Sequence, residues 1–179
     1  MDLALRHFWL IILVFVVGGN LLLSRPRLAK LVAMGRITAA ECATVQRAYA
    51  LVIGVPILAW GVYTEVIGAP SPFCAMPFVV RSPVSAATFA VYAATMIALL
   101  LWIWRGSGAE LLAKVAPALS RWPKYDRTYE PRTVRLGATA LVAFSVVGFI
   151  AASQSVLKTP PPECRAWLQS RSSAPHDVP

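Results

Sequence analysis

Apolar residues fall in four long blocks that carry almost no charge, at about residues 5–24, 46–67, 84–104 and 136–157. A helix needs about 20 mainly apolar residues to cross ~30 Å of hydrocarbon, and each block has that length. The pattern predicts an all-α integral membrane protein with four transmembrane helices in residues 1–158, followed by a Pro-rich tail, residues 159–179, that we expect to be extended and then disordered.

The first block has the basic and apolar parts of a secretory signal, but its downstream flank argues for a retained span. A signal peptide ends at small residues that form a cleavage site. Here Arg25, Pro26 and Arg27 follow the apolar residues directly. We therefore interpret the block as the first transmembrane helix.

Composition strengthens the membrane assignment. Of the 179 residues, 58% are hydrophobic and 14% are charged, whereas soluble domains average about 45–50% apolar and about 25% charged residues. The mean hydropathy is +0.63. These values argue against a soluble enzyme domain.

Basic residues are concentrated in the first and third connections between the blocks. Twelve of the 17 Lys and Arg residues lie there, and five lie on the opposite side. By the positive-inside rule, both connections are cytoplasmic and both termini are non-cytoplasmic. We expect a multi-pass protein of a bacterial inner membrane.

We expect the basic residues behind the net charge of +9 to contact anionic lipid headgroups at the cytoplasmic face. Nucleic-acid binding is not needed to account for them. Bases and aromatics alternate in residues 121–129, but their position between two spans favours the membrane interface. The expected headgroup contacts are Arg25, Arg27, Lys30, Lys114, Arg121 and Lys124.

The first basic connection contains two helix-start patterns. Ser24 and Pro26 are expected to open a short amphipathic helix that ends at Gly35. Thr38 and Glu41 then have the spacing of a capping box, which predicts that the second transmembrane helix begins directly after Thr38.

The third connection repeats the capping-box spacing at Ser107 and Glu110, before an amphipathic stretch that Pro117 shortens or bends. We expect short amphipathic helices in both basic loops, lying on the cytoplasmic leaflet. An irregular solvated loop is the alternative.

Cysteine positions suggest one disulfide. Cys74 and Cys164 both lie on the predicted non-cytoplasmic side, where an oxidising compartment permits a bond, while Cys42 lies on the cytoplasmic side. Two separate buried thiols are the alternative to a Cys74–Cys164 disulfide.

Few residues could carry chemistry inside the membrane. His7 and His176 stand at a helix end and in the tail, so haem ligation is not expected, and we expect no cofactor or metal. Asn20 and Glu65 are the candidate intramembrane polar sites. A hydrogen bond to a neighbouring helix or an interfacial position would also explain them.

Small residues and proline predict details of helix packing. Alanines in the third block and Gly137 and Gly148 in the fourth favour a tight pair between these two spans. Pro56 should kink the second span, because it lacks the backbone N–H of an intact helix.

These features favour a non-enzymatic accessory or structural subunit that packs against a larger membrane complex or against itself. A small four-helix transporter, which would depend on Glu65, is one alternative. A membrane-bound lipid-modifying enzyme is another, and it would need a polar cavity lined by Arg47, Tyr49 and bases of the third connection. The sequence leaves enzymatic activity open but does not favour it.

Overall fold

The computed structural model describes residues 7–75, 83–120 and 122–172. Throughout these ranges the regular secondary structure is helical. The helices are α1 (Phe8–Ala33), α2 (Ala39–Val66), α3 (Pro83–Arg105), α4 (Gly108–Leu119), α5 (Pro131–Lys158) and α6 (Pro162–Ser172). Helices α1, α2, α3 and α5 are long and apolar enough to cross a membrane, which confirms the predicted number of such helices.

The apolar side chains of the four spans point mostly outward. Only 6–11% of the most apolar window of each span is buried inside the molecule. Phe15 on α1 and Phe144 on α5 are among the large side chains left exposed. A helix that is apolar all round must bury that surface in lipid or in a partner protein, so the exposure fits a membrane environment.

Helix α1 continues through Pro26, so the prediction of a separate amphipathic helix beginning at Ser24 is wrong. A proline removes one backbone hydrogen bond, which costs a helix several kcal/mol, roughly 3 or more. The turns that follow it place Leu28 and Leu31 in a fully buried apolar cluster. This packing offsets the lost bond and keeps the helix continuous to Ala33.

Gly35 ends α1, as its position in the sequence indicates. It has a φ of +68°, which a residue without a Cβ adopts without strain. The Gly35 N–H donates to the Val32 carbonyl at 2.9 Å, and the Arg36 N–H donates to the Leu31 carbonyl at 3.0 Å. These are the two bonds of a Schellman motif.

Helix α2 begins with the predicted capping box. The Glu41 N–H donates to the Thr38 hydroxyl at 3.1 Å, and the Thr38 N–H donates to the Glu41 carboxylate at 2.7 Å. A π-helical segment, Ala50–Gly54, ends two residues before Pro56. The wider turn is a local adjustment of the kind that lets a helix accommodate proline.

Helix α4 differs from prediction at its start. The Ser107 side chain makes no capping bond, so the predicted capping box is absent. Its backbone has a ψ of 7° rather than the extended value of an N-cap. The Glu110 carboxylate instead accepts a bond from the Arg135 guanidinium at 2.8 Å.

The apolar face of α4 packs against the protein rather than resting on the leaflet. Leu111, Val115 and Ala118 are buried against the end of α1 and the start of α2. We call this the basic-end cluster; its members are Leu28, Leu31, Ile37, Val45, Leu111, Val115 and Ala118. Helix α4 therefore covers one end of the bundle, which we call the basic end.

A second buried cluster lies at the opposite end of the bundle. We call it the disulfide-end cluster; its members are Tyr63, Ile67, Ala69, Cys74, Ala75 and Cys164. Most of the buried apolar residues in the described ranges therefore belong to one of these two clusters.

The closest helix pairing also differs from prediction. Helix α3 packs more extensively on α2 than on α5, its predicted partner. Gly137 and Gly148 of α5 have no heavy atom within 4 Å of the place a Cβ would occupy. The stacked rings of Tyr92 and Phe149, with their centres 5.7 Å apart, lie between α3 and α5.

The tail contains helix α6, where extended chain was expected. Pro162 opens this helix, and the first turn is where a missing N–H costs nothing. Cys164 and the partly buried Trp167 pack it against the disulfide-end cluster. Two terminal stretches lie outside the described residues. They are residues 1–6, which include the start of the predicted first span, and residues 173–179 of the tail, which include His176.

Candidate functional site

A large cavity lies beneath α4, at the basic end of the bundle. It has a volume of about 570 Å³ and is bounded by α1, α2, α3 and α4. We call it the basic-end cavity. Its apolar walls include Leu21, Val52, Ile53, Leu99, Leu112 and Leu119.

Two polar side chains of the cavity converge on one backbone carbonyl. Asn20 Nδ2 donates to the Val16 carbonyl at 2.7 Å, and the Tyr49 hydroxyl donates to the same oxygen at 3.1 Å. Val16 belongs to a π-helical segment of α1, Leu13–Gly18. The Asn20 carbonyl oxygen and the Tyr49 phenol oxygen can still accept hydrogen bonds from a ligand.

Arg27 contributes the positive charge of the cavity lining. Its Nη1 donates to the carbonyls of Leu119 and Ser120 at 3.2 and 3.0 Å. A cation is favourable there because the last carbonyls of a helix have no N–H partner within the helix, and the helix end carries partial negative charge. The Nε and Nη2 groups carry three further N–H donors.

Polar contacts also tie α4 and the following loop to their surroundings. Lys114 pairs with Glu41 at 3.2 Å, and Arg135 pairs with Glu110 at 2.8 Å. The Lys30 ammonium lies 4.2 Å from the centre of the Tyr125 ring. Each of these contacts joins α4, or the loop after it, to one of the four long helices.

The six predicted headgroup residues therefore have different surroundings. Arg27, Lys30 and Lys114 make the internal contacts described above. Arg25 and Lys124 are exposed at the basic end, where a headgroup could reach them. Arg121 lies outside the described residues.

The two predicted intramembrane polar residues are not brought together. Asn20 lines the basic-end cavity, whereas Glu65 lies near the far end of α2. The Glu65 carboxylate is 2.9 Å from His7 Nδ1 and accepts a long bond from Trp9 Nε1 at 3.5 Å. Glu65 thus joins the start of α1 to the end of α2.

Cys74 and Cys164 lie together at the disulfide end. Their sulfur atoms are 2.03 Å apart, at disulfide-bonding distance, and both side chains are fully buried. The third cysteine, Cys42, is a free thiol beside the basic-end cluster. The bond would hold α6 against the segment after α2.

Sequence reasoning identified Asn20 but missed the site around it. Asn20, Ser24 and Arg27 are spaced by four and three residues, which places them on one face of α1. Gln46 and Tyr49 have the same relation on α2 and also line the cavity. These spacings were a usable signal, but the convergence of two faces beneath α4 required the folded chain.

The cavity differs from the one that the lipid-modifying alternative required. Tyr49 lines it as expected, but Arg47 is exposed and is not part of the lining. Arg27 supplies the charge instead. Across the described ranges, no three His, Cys, Asp or Glu side chains are grouped as metal ligands.

Comparisons with protein-family models, curated proteins and solved structures found no match to this chain.

Proposed function

We propose that this chain is a non-enzymatic subunit of a membrane assembly that binds one acidic amphiphile in the basic-end cavity. The amphiphile would place an apolar chain among the Leu, Val and Ile walls and an acidic headgroup near Arg27. The single observation that carries this proposal is a large, mainly apolar cavity with one guanidinium in its lining.

The dimensions and chemistry of the cavity support ligand binding. Sites for small ligands have volumes of about 300–1,000 Å³, apolar walls and a few placed polar groups, and the basic-end cavity has a volume of about 570 Å³. Its Asn20, Gln46, Tyr49 and Arg27 side chains are groups that hold and orient a ligand. The guanidinium forms strong, directional bonds with carboxylate or phosphate oxygens.

Lipid analysis of the purified protein tests this assignment. We expect native mass spectrometry in mild detergent to find one acidic amphiphile bound per chain. Ala48 lines the cavity, so Ala48→Trp should fill the space and remove the ligand, and Arg27→Gln should weaken its retention. Arg25→Gln is the matched control, because Arg25 is exposed outside the cavity. Equal ligand occupancy in the wild type and in Ala48→Trp would refute the proposal.

We also propose that the basic end faces the cytoplasm of a bacterial inner membrane and that both termini lie outside. The distribution of Lys and Arg supports this orientation. A cysteine introduced at the exposed Lys124 position, in a Cys42→Ala background, tests it. We expect a membrane-impermeant maleimide to label this cysteine only after lysis of bacterial cells. Labelling of intact cells would reverse the proposed topology.

The outer face of α5 supports a role as a subunit. Gly137 and Gly148 meet no neighbouring atoms, and Leu141 and Phe144 are exposed between them. Small residues on a membrane helix permit close approach of another helix. The partner would be another membrane protein or a second copy of this chain.

A gentle-detergent pull-down followed by mass spectrometry tests the subunit role. We expect a partner in stoichiometric amount, or a defined homo-oligomer, which Gly148→Leu disrupts by adding bulk to the α5 face. Phe15→Ala alters a similarly exposed site on α1 and is the control. A monomer without partners would count against the subunit role and leave the lipid-binding proposal to be decided by its own test.

A further inference from the structure

The basic-end cavity is open to the side, at the wall formed by α1. Asn20 and Leu23 of α1 line the cavity, and both residues are exposed. Leu23 is 70% exposed, which a wall residue enclosed by its neighbours would not be. Helices α1 and α3 each pack on α2 but make little contact with each other, so this is the least closed side of the cavity.

The opening lies on the membrane side of the Arg27 charge. Leu23 is the last residue of the uncharged run of α1, and Ser24 and Arg25 follow it. Arg27 is four residues beyond Leu23, which is about 6 Å along a helix and on the same face. A lipid whose headgroup is held at Arg27 would therefore meet the opening with the part of its chains next to the headgroup.

The volume of the cavity suits one acyl chain. A dry apolar cavity of about 150 Å³ holds the carbon atoms of one benzene molecule. By that measure, a volume of about 570 Å³ holds roughly 20–25 carbon atoms, which is enough for one long chain and too little for two. A second cavity, between α2, α3 and α5, has a volume of about 200 Å³ and an uncharged lining, so it suits neither a long chain nor an acidic headgroup.

We infer that the ligand of the basic-end cavity is a two-chain acidic lipid of the surrounding leaflet. One chain lies inside the cavity, and the other passes out beside Leu23 and stays in the bilayer. The anionic lipids that give a leaflet its negative charge are the source. Outside the opening, Leu22 and Leu23 are 64% and 70% exposed and offer apolar surface to the second chain. This inference rests on the proposed function and adds the class of the ligand and its way in.

Two lipids with the same headgroup test this inference in the full-length protein. The probes are dioleoyl phosphatidylglycerol and its single-chain lyso form, each titrated into the protein in mild detergent. Native mass spectrometry counts the bound lipid per chain. We expect the wild type to bind one molecule of either lipid, because the lyso form fits wholly inside and the two-chain form straddles the opening. Ala48→Trp, which fills the cavity, should remove both lipids.

A larger side chain at the opening separates the two lipids. Leu23→Trp should lower the affinity for the two-chain lipid by about tenfold, because the added bulk crowds the chain that passes out. It should leave the affinity for the lyso form unchanged. Leu22→Trp makes the same change at an exposed neighbour that does not line the cavity, so it is the matched control. Circular dichroism reports whether each variant is folded.

Two results would overturn the inference and leave the proposed function standing. A wild type that binds the lyso form but excludes the two-chain lipid would show that the second chain has no way out, and this comparison needs no variant. Equal effects of folded Leu23→Trp on the two lipids, or no effect on either, would show that the second chain does not pass Leu23. Failure of the wild type to bind either lipid would instead contradict the proposed function itself.

Discussion

Each end of the bundle contains an apolar cluster covered by a segment outside the four long helices. Different interactions hold these two covering segments in place. At the disulfide end, Cys74 and Cys164 are fully buried at bonding distance. At the basic end, α4 is held without a covalent bond, by its buried apolar face, by half-exposed ion pairs and by the bonds from Arg27 to two carbonyls. Exposed ion pairs are individually weak and respond to salt. We therefore expect the disulfide end to be rigid and the basic end to open more readily.

This difference agrees with the positions of the cavities. The larger cavity lies under α4, the cover held by noncovalent contacts, and Leu112 and Leu119 of α4 form part of its wall. A ligand that enters from the basic end would need α4 to move. The contrast between the two ends can be tested by weakening each cover in turn.

Loss of the disulfide should have the largest effect on stability. Cys74→Ala removes a bond that closes a loop spanning 90 residues, worth about 4 kcal/mol in the chain-entropy model. Unfolding of the detergent-solubilised protein, followed by circular dichroism, measures the change. Cys42→Ala removes the free thiol and should change stability little. Similar stability of the two variants would mean that the bond does not hold the disulfide end.

The contact between α1 and α2 near the disulfide end should be the next most sensitive. A Cβ on Gly61 would lie 2.2 Å from the Trp9 indole, so Gly61→Ala should destabilise the protein by about 1–3 kcal/mol through overpacking. Gly148→Ala makes the same chemical change where nothing lies within 4 Å and should be tolerated. Equal unfolding curves for the two variants would contradict the tight packing at Gly61.

Removal of the Arg27 charge should loosen the basic end by about 1 kcal/mol, a value reduced for its partial exposure. Arg27→Gln loses the bonds to Leu119 and Ser120. Hydrogen exchange should become faster in Gly108–Leu119 while Pro162–Ser172 is unchanged. Arg25→Gln, which alters an exposed neighbour, is the control. Faster exchange at both ends would indicate general destabilisation instead of an opening of α4.

The smallest effect is expected for the ion pair between Glu41 and Lys114. Glu41→Gln removes the charge but leaves a side chain that can still complete the capping box with Thr38. An exposed pair of this kind contributes about 0.2–1 kcal/mol. Hydrogen exchange of α4 at low and high salt measures the effect. The variant should differ from the wild type at low salt only; a difference that persists at high salt would point to a role beyond the ion pair.

Local signals in the sequence predicted helix ends when nearby residues alone determine them. Thr38 and Glu41 form their capping box, and Gly35 ends α1 with the positive φ expected of it. The same spacing at Ser107 and Glu110 forms no capping box: the Ser107 backbone is not extended, and the Glu110 carboxylate pairs with a distant residue, Arg135. A motif of four residues contains no information about such a distant partner.

Chain-wide composition and charge-free block length determined the all-helical fold and the number of spans. A membrane span must satisfy its backbone hydrogen bonds within one helix, so the residues of each block are enough to predict that it is helical. The tertiary structure decided the continuity of α1 through Pro26, the inward packing of α4, the closer packing of α3 on α2 than on α5, and the two cavities. These features depend on which helix faces meet and which side chains lie between them. Lipid is as apolar as the side chains, so it does not select among the possible helix pairings.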